Sequence, residues 1–167
     1  SVMSVSFPVT VFENRSLLER VANTMLFGPQ ILGKAAKIDN VLDQFRHAIA
    51  FYLTTLHVDV NPEKPFNPIL GETFQGIIGG SPFYCEQISH HPPICAYEFM
   101  GKGYKAYGSR EFVASISANS VKTKYYGYNY LTFNNTKTKF IVHYPLALMS
   151  GTAIGRRVLE FTKKFYF

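Results

Sequence analysis

Apolar and polar positions divide the chain into a helical opening and a long remainder of strand character. Ser4–Phe12 alternates like a half-exposed strand, and Asn14 and Ser16 then offer side-chain oxygens to cap a short helix over Leu17–Leu26. Leu17, Leu18, Val21, Met25 and Leu26 share one face of that helix, and Gly28-Pro29 reads as its stop. A weaker helical piece covers Gln30–Lys37. The most sustained period near 3.6 runs over Asp39–Val58, with Asp39 as cap and an apolar face of Val41, Leu42, Phe45, Ile49, Tyr52, Leu53 and Leu56. Ala48, Ala50 and Phe51 extend its burial around the girth, Arg46 and His47 are its main interior polar residues, and Asn61-Pro62 ends it.

After Pro68 the period drops to two. Thr73–Ile78, Phe83–Ile88 and Ile94–Met100 are short and rich in β-branched and aromatic residues. Gly79-Gly80-Ser81-Pro82 and His90-His91-Pro92-Pro93 separate them, and Gly101-Lys102-Gly103 predicts a tight hairpin into Tyr104–Ala118. Val121–Tyr126, Tyr128–Phe133 and Lys139–His143 continue as a meander, followed by Leu146–Ser150, Arg156–Phe161 and Lys163–Phe167. Helices first and antiparallel strands afterwards predict an α+β fold whose sheet curls or closes. A terminal strand of alternating aromatics is an edge that finished domains normally cover, so the pattern predicts a chain cut from a longer domain. Residues 1–167 are expected to form a single partial domain, with the N-terminal strand and helices in 1–60 and the first part of a barrel in 61–167.

Composition narrows the class. With 47% hydrophobic and 17% charged residues, disorder is excluded. No run of about 18 apolar residues offers a membrane-spanning helix, and Ser1–Pro8 lacks the pattern of a signal peptide. Cys85 and Cys95 are the only cysteines, which suits a reducing compartment and a cytoplasmic location. Charge is uneven: residues 1–100 hold six Lys/Arg against nine Asp/Glu, while residues 101–167 hold eleven against two. Such a basic half points to an anionic partner, membrane or nucleic acid, unless its lysines only solvate strand faces.

Two blocks carry chemistry. In Glu63–Phe74, Pro62, Pro65 and Pro68 stiffen the link from helix to sheet, and Gly71 permits a turn. Lys64 and Asn67 on such a loop suit holding a polar group at a fixed spot, although a plain connector has the same composition. In Glu86–Pro93, adjacent His90 and His91 would face opposite ways on a regular strand, but two following prolines force them out of the ladder. Two imidazoles turned together donate to anionic oxygens. A metal site lacks a third ligand at useful spacing. Catalysis lacks a nucleophile motif beside Glu86 and the histidines, so no catalytic residue, metal or cofactor is assigned.

The strings Lys64-Pro-Phe-Asn-Pro-Ile-Leu-Gly-Glu-Thr-Phe74 and Glu86-Gln-Ile-Ser-His-His-Pro-Pro93, in this order, resemble the oxysterol-binding-protein-related family. The second is similar to that family's fingerprint, with Ile88 where Val is usual. The resemblance implies N-terminal helices followed by an antiparallel, incomplete β-barrel enclosing a tunnel for one lipid, truncated here. It covers the first half of the family's domain, without the lid before Ser4 and without the C-terminal half. It further implies that His90 and His91 contact the 4-phosphate of phosphatidylinositol 4-phosphate, and that Lys64 and Asn67 contact the rest of the headgroup.

The function expected on that basis is non-enzymatic lipid binding and transfer between membranes. The ligand would be phosphatidylinositol 4-phosphate, sterol or another phospholipid, with transient contact to anionic membranes and no nucleic acid. Ile94–Phe99 and Phe112–Ile116 are expected to line the cavity, while Lys122, Lys124, Lys137, Lys139, Arg156, Arg157, Lys163 and Lys164 would face membrane or solvent. Location would be cytoplasmic and peripheral on organelle membranes. The alternatives are a basic aromatic β domain stacking nucleic-acid bases on Tyr125, Tyr126, Tyr128, Tyr130 and Phe133, and a hydrolase using His90 or His91.

Overall fold

The computed structural model describes Val9 and residues 12–61 and 63–167. Most of the strand expected over Ser4–Phe12 therefore lies outside the described residues; β1 is Phe12–Ser16. Ser16 ends it and caps α1 (Leu17–Asn23), its hydroxyl accepting the Glu19 N–H. Leu17, Leu18, Val21 and Ala22 are the buried side of α1. Gly28-Pro29 opens α2 (Gly28–Ala35) and does not stop its predecessor. Proline at the first helical turn gives up no hydrogen bond, because those N–H groups have no partner inside the helix.

The main helix, α3, is Val41–Thr55, with Leu56–Val60 continuing as a 3-10 segment. Its cap is Asn40, whose side chain accepts the Asp43 N–H at 3.1 Å, and not Asp39. The buried face is also displaced from the expected one. Gln44, Ala48, Phe51, Tyr52 and Thr55 face inward, while Val41, Leu42 and Leu53 are 47%, 56% and 52% exposed. Gln44 explains the rotation. Its amide nitrogen donates to the Ala35 and Ile38 carbonyls and to Asn135, and its amide oxygen accepts from Thr136 and Thr138. Hydrogen bonds set the rotation here more strongly than apolarity does.

Two sheets follow. A small one pairs β1 in parallel with β2 (Lys64–Phe66). The large one holds β3 (Thr73–Ile78), β4 (Ser81–Ser89), β5 (Ile94–Gly101), β6 (Tyr104–Ser117), β7 (Ser120–Tyr126), β8 (Asn129–Phe133), β9 (Lys139–Val142), β10 (Leu146–Ser150) and β11 (Val158–Thr162). Its strand order is β11-β10-β7-β6-β5-β4-β3, every pairing is antiparallel, and the sheet does not close. The α+β expectation with an incomplete barrel is met.

The simple meander is not. β6 forks: Tyr104–Gly108 pairs with β8, Glu111–Ser117 pairs with β7, and β9 joins only β8. Gly127 makes the return possible. It sits at φ +105°, and a side-chain carbon there would lie 2.2 Å from the Ser109 carbonyl oxygen. Lys163–Phe167 is not a strand either, since the tail makes a single bridge, His143 with Tyr166. α1 lies against β3 and β4, α2 against β5, and α3 packs on α2, and Phe51, Tyr52, Phe83, Phe99 and Phe133 fill the shared core.

Candidate functional site

The two sequence blocks meet at the open end of the β3–β4 hairpin. Lys64 enters on β2 opposite Phe12, whose ring stacks on Phe66 at 4.9 Å and lies 5.2 Å below the Lys64 ammonium. Arg20 fixes the approach to this strand. Its guanidinium donates to the carbonyls of Val58, Asn61 and Glu63 and lies 3.4 Å from the buried Glu13 carboxylate. The connector beyond α3 is thus held by one side chain just before Lys64.

From Asn67 the chain crosses to the next strand pair. Gly71, at φ +79°, supplies the left-handed turn. Its N–H donates to the Gln87 carbonyl, and the Gln87 N–H donates to the Glu72 carbonyl, each at 2.9 Å. The Glu72 carboxylate in turn accepts the Ile69 N–H. Past Gln87 the ladder with β5 shifts register before Ser89, and the chain leaves the sheet. His90 swings back over the first block, its Nδ1 at 3.0 Å from the Pro68 carbonyl oxygen. A carbonyl only accepts, so Nδ1 carries the hydrogen and Nε2 is the nitrogen left for a ligand. The His91 ring stands edge-on to that of His90 at 4.6 Å. The Pro93 carbonyl accepts the Phe112 N–H, tying the corner to β6.

The expected pair of imidazoles is therefore drawn together, His90 half-buried and His91 exposed, with Asn67 exposed beside the Pro68 contact. Lys64 is exposed three residues earlier. His90 and His91 present their rings from one corner, and Asn67 and Lys64 lie one and four residues before Pro68 on the same connector.

Sequence reasoning missed a second polar feature, on the inner face. Register places Gln87, Cys95 and Arg110 in one buried row across β4, β5 and β6. Arg110 donates to Asn129 at 3.1 Å and to the Tyr144 hydroxyl at 2.8 Å, and its guanidinium lies 4.8 and 4.6 Å from the Tyr97 and Tyr144 rings. Tyr97 donates to Asn129 and Thr55 to Tyr144. Burial pushes the Tyr52, Tyr97 and Tyr144 hydroxyls above the usual phenol range. The Tyr52 hydroxyl and both ends of the Gln87 amide are buried with no hydrogen-bond partner among the described residues. A signal did exist: Tyr104, Ala106 and Arg110 share the inward parity of β6, so the arginine stands in an otherwise apolar row. Of the expected lining, Cys95, Tyr97 and Phe99 are buried, but Ala114, Ser115 and Ile116 are exposed.

A family model described as Oxysterol-binding protein matches residues 1–167. The chain belongs to the oxysterol-binding protein family. It is 38% identical over 167 residues to Oxysterol-binding protein 9 of Dictyostelium discoideum, covering 98% of this chain and 39% of that protein. It is 30% identical to the human Oxysterol-binding protein-related protein 8 over 93% of this chain and 18% of that one. The Osh1 ORD domain solved in complex with cholesterol superposes with a TM-score of 0.86 at 26% identity, over 95% of this chain and 39% of that domain's chain. The Osh3 ORD of Saccharomyces cerevisiae, solved with PI(4)P, gives 0.85 at 26% identity over 97% and 44%. This oxysterol-binding-family chain thus spans about two fifths of the solved domains that it matches. The solved relatives were captured with cholesterol, with ergosterol and with PI(4)P. No helix among the described residues is long and apolar enough to cross a membrane. No group of three or more described His, Cys, Asp or Glu side chains is placed to hold a metal ion.

Proposed function

We propose that the chain is the headgroup-holding part of a lipid carrier. One lipid lies along the inner face of the large sheet, and His90, His91, Lys64 and Asn67 grip its phosphate at the corner. The observation that carries this reading is the joining of the two blocks. Gln87 is bonded through its backbone to Gly71 and Glu72, and His90 to Pro68, so residues of separate segments present donors together. A phosphate monoester brings about −1.5 to −2 charges at neutral pH and several acceptor oxygens, which ring N–H groups, an amide and an ammonium can bond. The related domains solved with cholesterol, ergosterol and PI(4)P support phosphatidylinositol 4-phosphate and sterol as the lipid classes. The partnerless Tyr52 hydroxyl and Gln87 amide give the polar group of a buried lipid something to bond.

Transfer follows from that arrangement. The protein docks transiently on an anionic membrane, takes one lipid inside, releases the surface and delivers its cargo elsewhere, as a cytoplasmic protein peripheral on organelle membranes. No observation favours nucleic acid. Tyr125 is bonded to Asp59, and Tyr130 is stacked between Tyr107 and Tyr128. The test is transfer of labelled lipid between liposomes with His90 and His91 both changed to Ala. Phosphatidylinositol 4-phosphate transfer should fall at least about thirtyfold, two charge-assisted bonds being lost, while sterol transfer persists. Undiminished phosphoinositide transfer would remove the headgroup assignment.

A further inference from the structure

A cavity of about 440 Å³ opens at the opposite edge of the large sheet from the histidine corner, between β7, β10 and the tail after β11. Lys124, His143, Lys163 and Lys164 line it, and no carboxylate does among the described lining residues. The tail is folded onto this wall by two backbone bonds, His143 N–H to the Tyr166 carbonyl at 3.0 Å and Tyr166 N–H to the His143 carbonyl at 3.3 Å. Lys163 adopts φ +71°, a left-handed conformation that bulky residues rarely take, and this turn sets the two tail lysines at the opening.

The floor adds to the positive field. Tyr144 lines the cavity, and behind it Arg110 donates to the Tyr144 hydroxyl. Arg110 is buried, and none of the described ion pairs gives it a carboxylate. Two acids lie next to lining residues: Asp59 accepts from the Tyr125 hydroxyl, and Glu111 is the cross-strand partner of Tyr126, but neither carboxylate lines the cavity. The aromatic walls of Tyr126 and Tyr166 can flank a ring, while their hydroxyls bond oxygens. The volume lies in the range that holds small organic ligands.

We propose that this cavity is a second anion site, which takes a compact polyol carrying two or more phosphate monoesters. Lys124 on β7, His143 on the β9–β10 link and Lys163 and Lys164 on the tail line the space from three elements, more donors than a single phosphate needs. The ligand is either a lipid headgroup or a free phosphorylated polyol. The proposal does not rest on the carrier reading, because the residues involved share none with the histidine corner.

The test titrates the 167-residue chain with inositol 1,4,5-trisphosphate and measures co-sedimentation with phosphatidylcholine vesicles. The vesicles contain phosphatidylinositol 4,5-bisphosphate or, at equal total charge, phosphatidylserine. Binding of the soluble trisphosphate identifies a free polyol as sufficient; binding of the bisphosphate vesicles alone identifies the lipid form. Either supports the site if Lys163→Glu with Lys164→Glu weakens it about tenfold or more. Lys34→Glu with Lys102→Glu, the same charge change on exposed residues elsewhere, should alter it less than about twofold. Lys163→Gly suits the positive φ and removes one charge, so a loss of roughly threefold to tenfold is expected even if the double variant unfolds. His90→Ala with His91→Ala removes the corner's own share of the signal, and the loss from the Lys163 and Lys164 pair should persist in that background. Equal loss in both lysine pairs, equal binding to phosphatidylserine vesicles, or no binding in either arm would overturn the proposal.

Discussion

Two glutamines are fully buried, and they behave in opposite ways. Gln44, on α3, spends its amide completely: its nitrogen and oxygen together reach the end of α2 and the β8–β9 turn through five hydrogen bonds. Gln87, on β4, uses only its backbone, which clasps Gly71 and Glu72, and leaves its amide without a partner among the described residues. A buried polar group costs stability unless it is paired, so the first is a structural rivet and the second is the group that a lipid would satisfy in the proposed carrier. The contrast teaches that burial and polarity alone do not mark a site; the state of the hydrogen bonds does.

Substitutions separate the two roles. The largest effect is expected for Gln44→Leu, which orphans several buried partners at once and should lower unfolding stability by about 3 kcal/mol in a urea titration. Lipid affinity of the folded fraction should stay the same. Next comes Arg20→Leu. It frees three carbonyls and leaves the Glu13 carboxylate without its guanidinium, so about 2 kcal/mol of stability should go. Headgroup binding should weaken with it, because the link delivering Lys64 loosens. Gln87→Met inverts the pattern of Gln44. Stability should hold or rise by about 1 kcal/mol, since an unpaired amide is removed, while retention of lipid measured by native mass spectrometry falls. A stability loss like that of Gln44→Leu would erase the distinction drawn here.

The smallest effect concerns pH. Burial raises the Asp59 carboxyl above its ordinary value, with the Tyr125 hydrogen bond and nearby arginines opposing. An acid raised in the folded state supports folding most at low pH, below its unfolded value, and loses that support as pH rises through the folded value. Asp59→Asn should therefore gain on the parent protein between acid and neutral pH in paired thermal melts. A gain that shrinks with rising pH would contradict the sign.

Most strands were legible because period two and glycine or proline punctuation are local signals. Thr73–Ile78 and Leu146–Ser150 appear with the expected bounds. The face of α3 was not, because counting apolar positions ignores what one glutamine can bond. The return of β8 onto β6 was hidden as well, since sequence order suggests that neighbours pair, and only the close pass of Gly127 over Ser109 reveals otherwise. At the candidate site, the prolines announced that His90 and His91 would leave the ladder. The acceptor that holds His90 is a backbone carbonyl, which no side-chain pattern reports. The Arg110 cluster draws on α3, β5, β6, β8 and the β9–β10 link, a convergence that only the tertiary structure assembles.

The fork in β6 has a consequence for how the molecule breathes. Tyr104–Gly108 is flanked by strands on both sides, whereas Phe112–Ser117 has a ladder neighbour on one side only. Any opening that parts β8 and β9 from β4 and β5 must rupture the doubly flanked stretch, while the outer arm can fray alone. Deuterium uptake will be slowest over Tyr104–Gly108 and markedly faster a few residues later on the same strand, so one continuous strand carries both the tightest and a readily opened part of the sheet.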